Sequence, residues 1–119
     1  MPVQLLQIAQ PVKDIERATA FYRDVLGCKF LFSAPPGLAF FDLGGVRLLL
    51  GKPESPEQPQ QGSVLYLKEA DVPKAHAALL AKGCQDRGKP HVITKMGDLE
   101  IWLGLVEDSE GNLIGLMNG

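Results

Sequence analysis

A small number of side chains in this sequence have the chemistry to bind or act on a small molecule. His91 is a candidate general base, because an unperturbed imidazole titrates near neutral pH. Gln7 and Tyr66 could orient a substrate with an amide and a hydroxyl group. Trp102 could stack on a planar ligand, and Phe40 could form part of the floor of a cavity. These residues are the predicted ligand-binding positions, and no catalytic residue is assigned.

Several of these candidates also have a purely structural interpretation. Gln7 could hydrogen-bond a neighbour within its strand, His91 could lie at the surface, and Trp102 could fill the core. The other histidine, His76, lies beside the apolar stripe of a helix, and we expect it to be partly exposed.

The sequence lacks the common motifs of nucleophilic and phosphate chemistry. It has no Ser-His-Asp or Cys-His spacing, and no glycine-rich phosphate loop follows a strand. Cys28 and Cys84 have neither CxxC nor metal-finger spacing. A disulfide between them is one alternative, but two free thiols in a reducing cytoplasm are the favoured interpretation.

Two stretches with the same plan provide the framework for these residues. Residues 14–28 and 71–84 each begin with an aspartate that can cap a helix, and each ends with a Gly-Cys pair. Between those ends, apolar residues recur at helical spacing. The glycine can end each helix in a left-handed conformation. A chain that uses the same capped helix twice is expected to consist of two similar halves.

Apolar runs around each helix predict the strands. One strand precedes each helix and three follow it, so the chain is expected to be an α+β protein with a βαβββ arrangement repeated twice. Its sheets are expected to be mostly antiparallel. We expect the first module over residues 1–51, a Pro- and Gln-rich linker over 52–62, and the second module over 63–119.

Two turns containing glycine set the predicted strand registers. With Gly44 and Gly45 as a two-residue loop, Asp42 lies opposite Arg47, and a cross-strand ion pair would account for both residues.

The second turn, at Gly97 and Asp98, has larger consequences. A two-residue loop there predicts three facing pairs, which are Lys95–Glu100, Ile93–Trp102 and His91–Gly104. This register puts His91 and Trp102 on one face and leaves a nearly aliphatic face to pack under the helices. A slip of one residue would reverse the two faces.

Composition narrows the class of protein. The chain has 119 residues, of which 45% are hydrophobic and 22% charged, and these values are typical of a globular domain. The net charge of −2 gives no basic footprint for nucleic acid. No apolar run approaches the roughly 20 residues of a membrane-spanning helix, and no signal peptide is recognised, so a cytoplasmic protein is expected.

With these elements the chain resembles the vicinal oxygen chelate superfamily, which includes glyoxalase I, the bleomycin-resistance proteins and the extradiol dioxygenases. The resemblance is carried by residues 14–27 (DIERATAFYRDVLG), by the related stretch 71–83, and by 105–117 (LVEDSEGNLIGLM). In the last stretch, Ser109 stands where proline is usual. The resemblance implies two βαβββ modules whose curved sheets enclose a cavity, and two chains that pair as a homodimer.

Metal-binding members of this superfamily carry His, Gln or Glu at four positions. In this sequence the matching positions are Gln7, Leu49, Val64 (or Ser63) and Gly115, so only Gln7 could hold a metal. A stable divalent site needs three or four oxygen or nitrogen ligands. This departure predicts no metal cofactor, and it argues against glyoxalase or dioxygenase chemistry.

Three functional hypotheses follow. The first is a metal-independent protein that binds a small apolar or aromatic molecule in a cavity between the sheets, similar to the drug-binding resistance members. The second is a lyase or dioxygenase-type enzyme of the same fold with a non-standard site, in which His91 is the general base and Gln7 or Tyr66 orients the substrate. The third is a protein whose cavity is filled by side chains and which acts only through its dimer surface.

Overall fold

The computed structural model describes residues 4–52 and 63–119, and it divides the chain into two compact modules. The first module contains β1 (Gln7–Pro11), helix α1 (Ile15–Ala20) with a π-helical continuation (Phe21–Val25), β2 (Lys29–Ala34), β3 (Leu38–Asp42) and β4 (Arg47–Gly51). The second contains β5 (Leu65–Lys68), helix α2 (Val72–Ala81), β6 (Asp86–Met96), β7 (Leu99–Glu107) and β8 (Leu113–Met117). The predicted linker, apart from Lys52, lies outside the described residues.

Each module has one four-stranded sheet with its helix packed on one side. The strand orders are β1-β4-β3-β2 and β5-β8-β7-β6. In both sheets the first two strands of that order run parallel and the other neighbours run antiparallel. The predicted α+β class and the repeated βαβββ arrangement are therefore confirmed. The enclosed cavity and the homodimer stay predictions.

The predicted helix caps are present in both modules. The Asp14 carboxylate accepts a hydrogen bond from the backbone N–H of Arg17 at 3.0 Å, and that of Asp71 accepts from Lys74 at 3.1 Å. These bonds satisfy donors that the first turn of a helix leaves without partners. Gly27 follows the first helix with φ at +76°, a conformation that favours glycine.

The first helix differs from the predicted single α-helix because its second half is wound as a π-helix. The backbone N–H of Leu26 bonds to the carbonyl of Phe21 at 3.0 Å, five residues earlier. Tyr22, in this wider segment, is only 1% exposed, and its ring lies 6.0 Å from that of Phe41. The π-helical segment thus contributes an aromatic contact between helix and sheet.

The side of the first sheet that faces the helix forms the core of the module. Phe41 on β3 and Leu48 and Leu50 on β4 are fully buried. Side chains alternate between the two sides of a strand, so Phe40 lies on the opposite side from Phe41. Phe40 therefore lies outside this core, and its predicted place in the floor of a cavity stays a prediction.

His76 is not partly exposed, as the sequence suggested, but buried. Its side chain is 5% exposed, and Nε2 lies 3.1 Å from Oδ1 of Asp86. Helix α2 packs on β7 at Gly104, where a Cβ would lie 3.4 Å from His76 and from Val72. Asp86 belongs to β6, which begins five residues before the predicted start of that strand at His91. The extension of β6 provides the partner that lets a polar ring be buried.

The register of the β6–β7 hairpin agrees with the prediction only near its turn. Beyond the turn, β6 is irregular at several points, and each irregularity shifts the pairing. The observed pairs are Lys95–Glu100, Val92–Trp102 and His91–Leu103. The first was predicted, and the other two replace Ile93–Trp102 and His91–Gly104.

The shifted register also corrects the assignment of the two faces. Gly104, which contacts the helix, alternates with Trp102, so Trp102 lies on the side of the sheet that faces α2. His91 pairs with Leu103 and therefore lies on the opposite side. The predicted common face for His91 and Trp102 is wrong. The face under the helix is the one that carries Trp102 and Gly104.

Both cysteines are free thiols, so the disulfide alternative is not realised. Among the described residues, no helix has the length and apolar character needed to span a bilayer. The cytoplasmic location stays a prediction.

Candidate ligand-binding site

The side of the first sheet that faces away from its helix brings together polar and aromatic residues from all four strands. We call this side the helix-free face of the first sheet, and the residues considered on it are Gln7 (β1), Arg47 (β4), Phe40 (β3) and Phe32 (β2). The parallel pairing of β1 with β4 sets Gln7 beside Arg47. The antiparallel pairing of β2 with β3 sets Phe32 beside Phe40. Two of the five predicted ligand-binding residues, Gln7 and Phe40, therefore share this face.

A short hydrogen bond joins the two polar residues of the helix-free face. Nε of Arg47 donates to Oε1 of Gln7 at 2.7 Å, and both side chains are half-buried. A hydrogen bond from an ionised donor is stronger than one between neutral groups. It fixes the position of the guanidinium group relative to the strand.

The two phenylalanines continue the same arrangement. The rings of Phe32 and Phe40 are stacked, with centroids 4.5 Å apart and planes 24° apart. Cζ of Arg47 lies 5.6 Å from the centroid of the Phe40 ring, within the range of a cation–π contact. Gln7, Arg47, Phe40 and Phe32 thus form a continuous strip across the sheet, with a cation at one end and an aromatic pair at the other.

Arg47 does not form the cross-strand ion pair expected from its register. Asp42 is its Cα partner, as the predicted two-residue loop required. The Asp42 carboxylate, however, accepts the backbone N–H of Gly45 at 2.9 Å, while the guanidinium donates to Gln7. The charge of Arg47 is therefore bonded to a neutral amide and not to an acid.

On the second module, Tyr66 covers the strand next to its own. Tyr66 pairs with Gly115 of β8, and a Cβ on Gly115 would lie 2.6 Å from Cε2 of the ring. Tyr66 remains 58% exposed, since it lies on the side away from the buried Leu65. The ring occupies the space above a glycine.

His91 lies on the same side of the second sheet as Tyr66, but on the strand at the other edge. Its side chain is exposed, and Nδ1 lies 3.0 Å from the carbonyl oxygen of Lys89 two residues away. This local bond is typical of a surface histidine with a structural role. Its predicted role towards a ligand stays a prediction.

Trp102 lines a shallow depression of about 430 Å³ at the N-terminal end of α2. Asp71, Pro73 and Glu100 are among its other lining residues, so the depression has an acidic rim. The backbone N–H of Trp102 donates to Oδ1 of Asn118 at 2.8 Å. Of the predicted residues, Trp102 is thus the one that faces a helix.

The first module also has an open groove of about 580 Å³ beside α1. Its walls are helix residues such as Thr19 and Arg23 and the β2–β3 turn around Pro35 and Pro36. None of the predicted ligand-binding residues lines it. No pattern in the sequence indicated this groove.

The two thiols are poorly suited to nucleophilic chemistry. Burial raises the pKa of Cys28 to about 11. Burial also raises the pKa of Cys84, with a smaller contribution from the nearby Asp108 carboxylate. Because the thiolate is the reactive form, both residues stay protonated near neutral pH.

The fold and these residues can be compared with known proteins. The family model described as "Glyoxalase/Bleomycin resistance protein/Dioxygenase superfamily" matches residues 4–116. The chain belongs to this superfamily. No curated protein sequence matches the chain significantly.

Several solved structures have the same fold as this chain. A lactoylglutathione lyase from Agrobacterium tumefaciens is 23% identical, with 98% of this chain and 94% of that chain covered and a TM-score of 0.72. A superfamily member from Sphaerobacter thermophilus DSM 20745 is 19% identical, with 98% and 97% covered and a TM-score of 0.79. TioX from Micromonospora sp. ML1 is 18% identical, with 97% and 98% covered and a TM-score of 0.75. At these identities the likeness concerns the fold.

The residues at the superfamily's metal positions do not fit a divalent cation. The amide oxygen of Gln7, the one suitable ligand, already accepts a hydrogen bond from the cation of Arg47. The space above Gly115 holds the ring of Tyr66. Within residues 4–52 and 63–119, no three His, Cys, Asp or Glu side chains are grouped to hold a metal ion. Metal independence stays a prediction.

Sequence reasoning missed two residues of the strip on the helix-free face. Arg47 was assigned only to an ion pair, and Phe32 was not considered. The alternation of apolar and polar residues around Arg47 would have placed it on the same side as Asp42. The parallel partner β1, which supplies Gln7, lies some 40 residues away, and no local pattern predicts that pairing.

Proposed function

We propose that the chain is a binding protein for a small molecule with an apolar or aromatic part, which it binds on the helix-free face of the first sheet without a resident metal. The observation that carries this proposal is the stacked Phe32–Phe40 pair next to the Gln7–Arg47 hydrogen bond. Ligand sites commonly combine an apolar surface with a few well-placed polar groups, and this strip has both.

The exposure of the aromatic pair supports a role in binding. Phe32 is 49% exposed, although phenylalanine is more often buried in the core of its module. Its neighbour Phe30 makes that core contact, with its ring 5.5 Å from Phe41. Stacking between Phe32 and Phe40 covers only part of the apolar area of the two rings. The remaining area is available to an aromatic ligand, whose offset stacking would contribute about 1 kcal/mol beyond area burial.

The absence of a suitable ligand set supports the metal-independent part of the proposal. Gln7 offers a neutral oxygen that is already bonded to a cation, and Leu49, on the same face, offers no ligand atom. In the second module, Val64 and Gly115 also lack ligand atoms. Binding therefore has to rely on contacts with side chains.

The likeness to a lactoylglutathione lyase favours, as a second candidate, a lyase or dioxygenase-type enzyme of the same fold. This candidate needs a general base, and His91 is bonded to its own strand on an exposed edge. We therefore rank it below the binding protein. Turnover by a metal-loaded sample that stops on addition of a chelator would reverse this order.

The test is a titration of the protein, treated with EDTA and desalted, with the neutral arene 2-naphthamide, followed by ¹H–¹⁵N NMR. We expect saturable shifts of backbone amides in β1, β2, β3 and β4, and the same affinity before and after EDTA treatment. Phe40→Ala should weaken binding about tenfold, since it removes one aromatic contact. Leu31→Ala is the matched control, because Leu31 is an exposed apolar residue on the same strand as Phe32 but outside the strip.

Absence of saturable shifts, or shifts that appear only after metal is added, would contradict the proposal. An equal loss of affinity in Leu31→Ala and Phe40→Ala would also contradict it, since it would point to a general apolar surface.

A further inference from the structure

Arg47 differs from Arg23 and Arg87 in its bonding partner. Arg23 and Arg87 each pair with a carboxylate, Asp24 and Glu107, at 2.9 Å. Arg47 takes part in no ion pair among the described residues, although it is half-buried. A charge that is partly removed from water is usually paired with an opposite charge. Within residues 4–52 and 63–119, no carboxylate forms an ion pair with Arg47, although Asp42 is its Cα partner.

The geometry of the guanidinium group leaves its outer edge available. Nε is used by Gln7, and the ring of Phe40 lies 5.6 Å from Cζ. Within the described part of the chain, no acceptor is bonded to Nη1 or Nη2. These two donors form a fork that matches the two oxygens of a carboxylate.

The local charge supports an anionic partner. Along the row that crosses the sheet, Gln7 is followed by Arg47, Asp42 and Lys29. These residues carry charges of +1, −1 and +1 after the neutral amide, so the row is positive even though the whole chain carries −2. The Asp42 carboxylate accepts a hydrogen bond from the backbone N–H of Gly45 and forms no ion pair with Arg47.

From this geometry we propose that the ligand of the helix-free face is an aromatic carboxylate. Nη1 and Nη2 of Arg47 bind its two oxygens, and its ring packs on the Phe32–Phe40 pair. Gln7 is a positioning residue, because its amide oxygen holds Nε and so directs the other two donors outward. The inference rests on the proposed function and adds the chemical class of the ligand to it.

The experiment compares two probes of the same shape, 2-naphthoate and 2-naphthamide, by NMR titration of the wild-type protein. We expect the carboxylate to bind about tenfold more tightly than the amide, as two charge-assisted hydrogen bonds would produce. Arg47→Met should bring the two affinities close together, because the carboxylate then loses both charge-assisted hydrogen bonds. Arg47→Lys should keep only part of it, because an ammonium group lacks the planar fork.

Two further variants separate positioning and general electrostatics from direct binding. Gln7→Met should reduce the ratio of the two affinities, whereas a merely structural role would weaken binding of both probes alike and leave the ratio unchanged. Arg23→Met removes an exposed, ion-paired arginine and should leave the ratio unchanged.

The outcomes distinguish this inference from the proposed function. Equal affinities of the two probes for the wild-type protein, or an unchanged ratio in Arg47→Met, would overturn the inference while the proposed function stands. Failure of both probes to bind would contradict the proposed function itself. If the NMR spectrum of Arg47→Met showed an unfolded protein, the ratio of the two affinities in Arg47→Lys and Gln7→Met would test the inference instead.

Discussion

The helix-free faces of the two sheets are built on the same topology but carry different side-chain networks. In the first sheet, Gln7, Arg47, Phe40 and Phe32 are linked in series by a hydrogen bond, a cation–π contact and a ring stack. In the second sheet, Tyr66 lies over Gly115, and His91 bonds to a carbonyl of its own strand. One face therefore has a connected polar and aromatic strip, and the other has separate local contacts.

This difference shows which part of each module specifies the fold. The helix caps, the strand order and the parallel first pair are common to both modules. Residues under the helices are buried in both. The side chains on the other face are not needed to specify this topology, so they are free to differ. The comparison leads us to expect a binding function in the first module and no equivalent strip in the second.

The strongest test of this comparison separates the two sides of the first sheet. Phe41→Ala should lower the free energy of unfolding by about 3–5 kcal/mol, because Phe41 is fully buried against Tyr22 and Phe30. Phe40→Ala should cost only about 1–2 kcal/mol but should weaken binding of an aromatic probe. Urea unfolding of both variants measures the difference. Equal losses of stability would mean that Phe40 is a core residue and that the strip has no separate role.

A second test concerns the second sheet, where Tyr66 covers Gly115. Gly115→Ala should force the ring away from the strand, since the new Cβ would lie within 2.6 Å of Cε2. Because Tyr66 is 58% exposed and can move, we expect a cost of only about 1–2 kcal/mol. In a Tyr66→Ala background the same change should be neutral or stabilising by about 0.5 kcal/mol, because glycine is unfavourable in a strand.

Urea unfolding of the single and double variants measures the coupling between Tyr66 and position 115 as a double-mutant cycle. An identical cost of Gly115→Ala in both backgrounds would show that the Tyr66 ring is not what fills the space above the glycine. The two faces would then differ less than the contacts indicate.

The accuracy of the sequence-based predictions follows the same division between local and distant determinants. The caps at Asp14 and Asp71 and the Gly44-Gly45 loop depend on neighbours within four residues, and these predictions are confirmed. Turn chemistry and hydrophobic spacing were sufficient for the α+β class. The register of β6 was wrong beyond its turn, because its irregularities follow from packing and have no local signal.

The candidate site was predicted only in part for the same reason. Phe40 was predicted only as part of a cavity floor, and the resemblance singled out Gln7. The bond from Arg47 to Gln7 spans 40 residues and depends on the parallel pairing of two strands. Burial of His76 depends similarly on Asp86, a residue on a strand whose beginning was not recognised.

A third test asks whether the two modules are equivalent as scaffolds. Asp14→Ala and Asp71→Ala each remove a side-chain cap with a hydrogen bond of about the same length, 3.0 and 3.1 Å. We expect each to cost about 1 kcal/mol in urea unfolding, and Asp→Asn at either position to cost less, because asparagine also caps helices. A marked difference between the two alanine variants would show that the repeated pattern hides unequal scaffolds.

Near neutral pH, the smallest expected effect on the free energy of unfolding comes from the cysteine that follows each helix. Burial raises the pKa of Cys28 from 9.0 to about 11 and raises that of Cys84 in the same direction. The unfolded chain therefore loses these protons at a lower pH than the folded chain. Stability from this source is complete below about pH 9 and is lost as the pH rises towards 11.

Urea unfolding at pH 8 and pH 10.5 measures this loss, with Cys28→Ala and Cys84→Ala as matched variants. The difference between each variant and the wild-type protein over this interval isolates the contribution of its thiol. We expect Cys28→Ala to lose less stability over this interval than the wild-type protein, and Cys84→Ala to resemble the wild type more closely. The shift at Cys28 is the larger, and Lys82 partly offsets that at Cys84. If Cys28→Ala lost as much stability at alkaline pH as the wild-type protein, the thiol of Cys28 would have to be accessible to water. The end of the first helix would then be accessible to water as well.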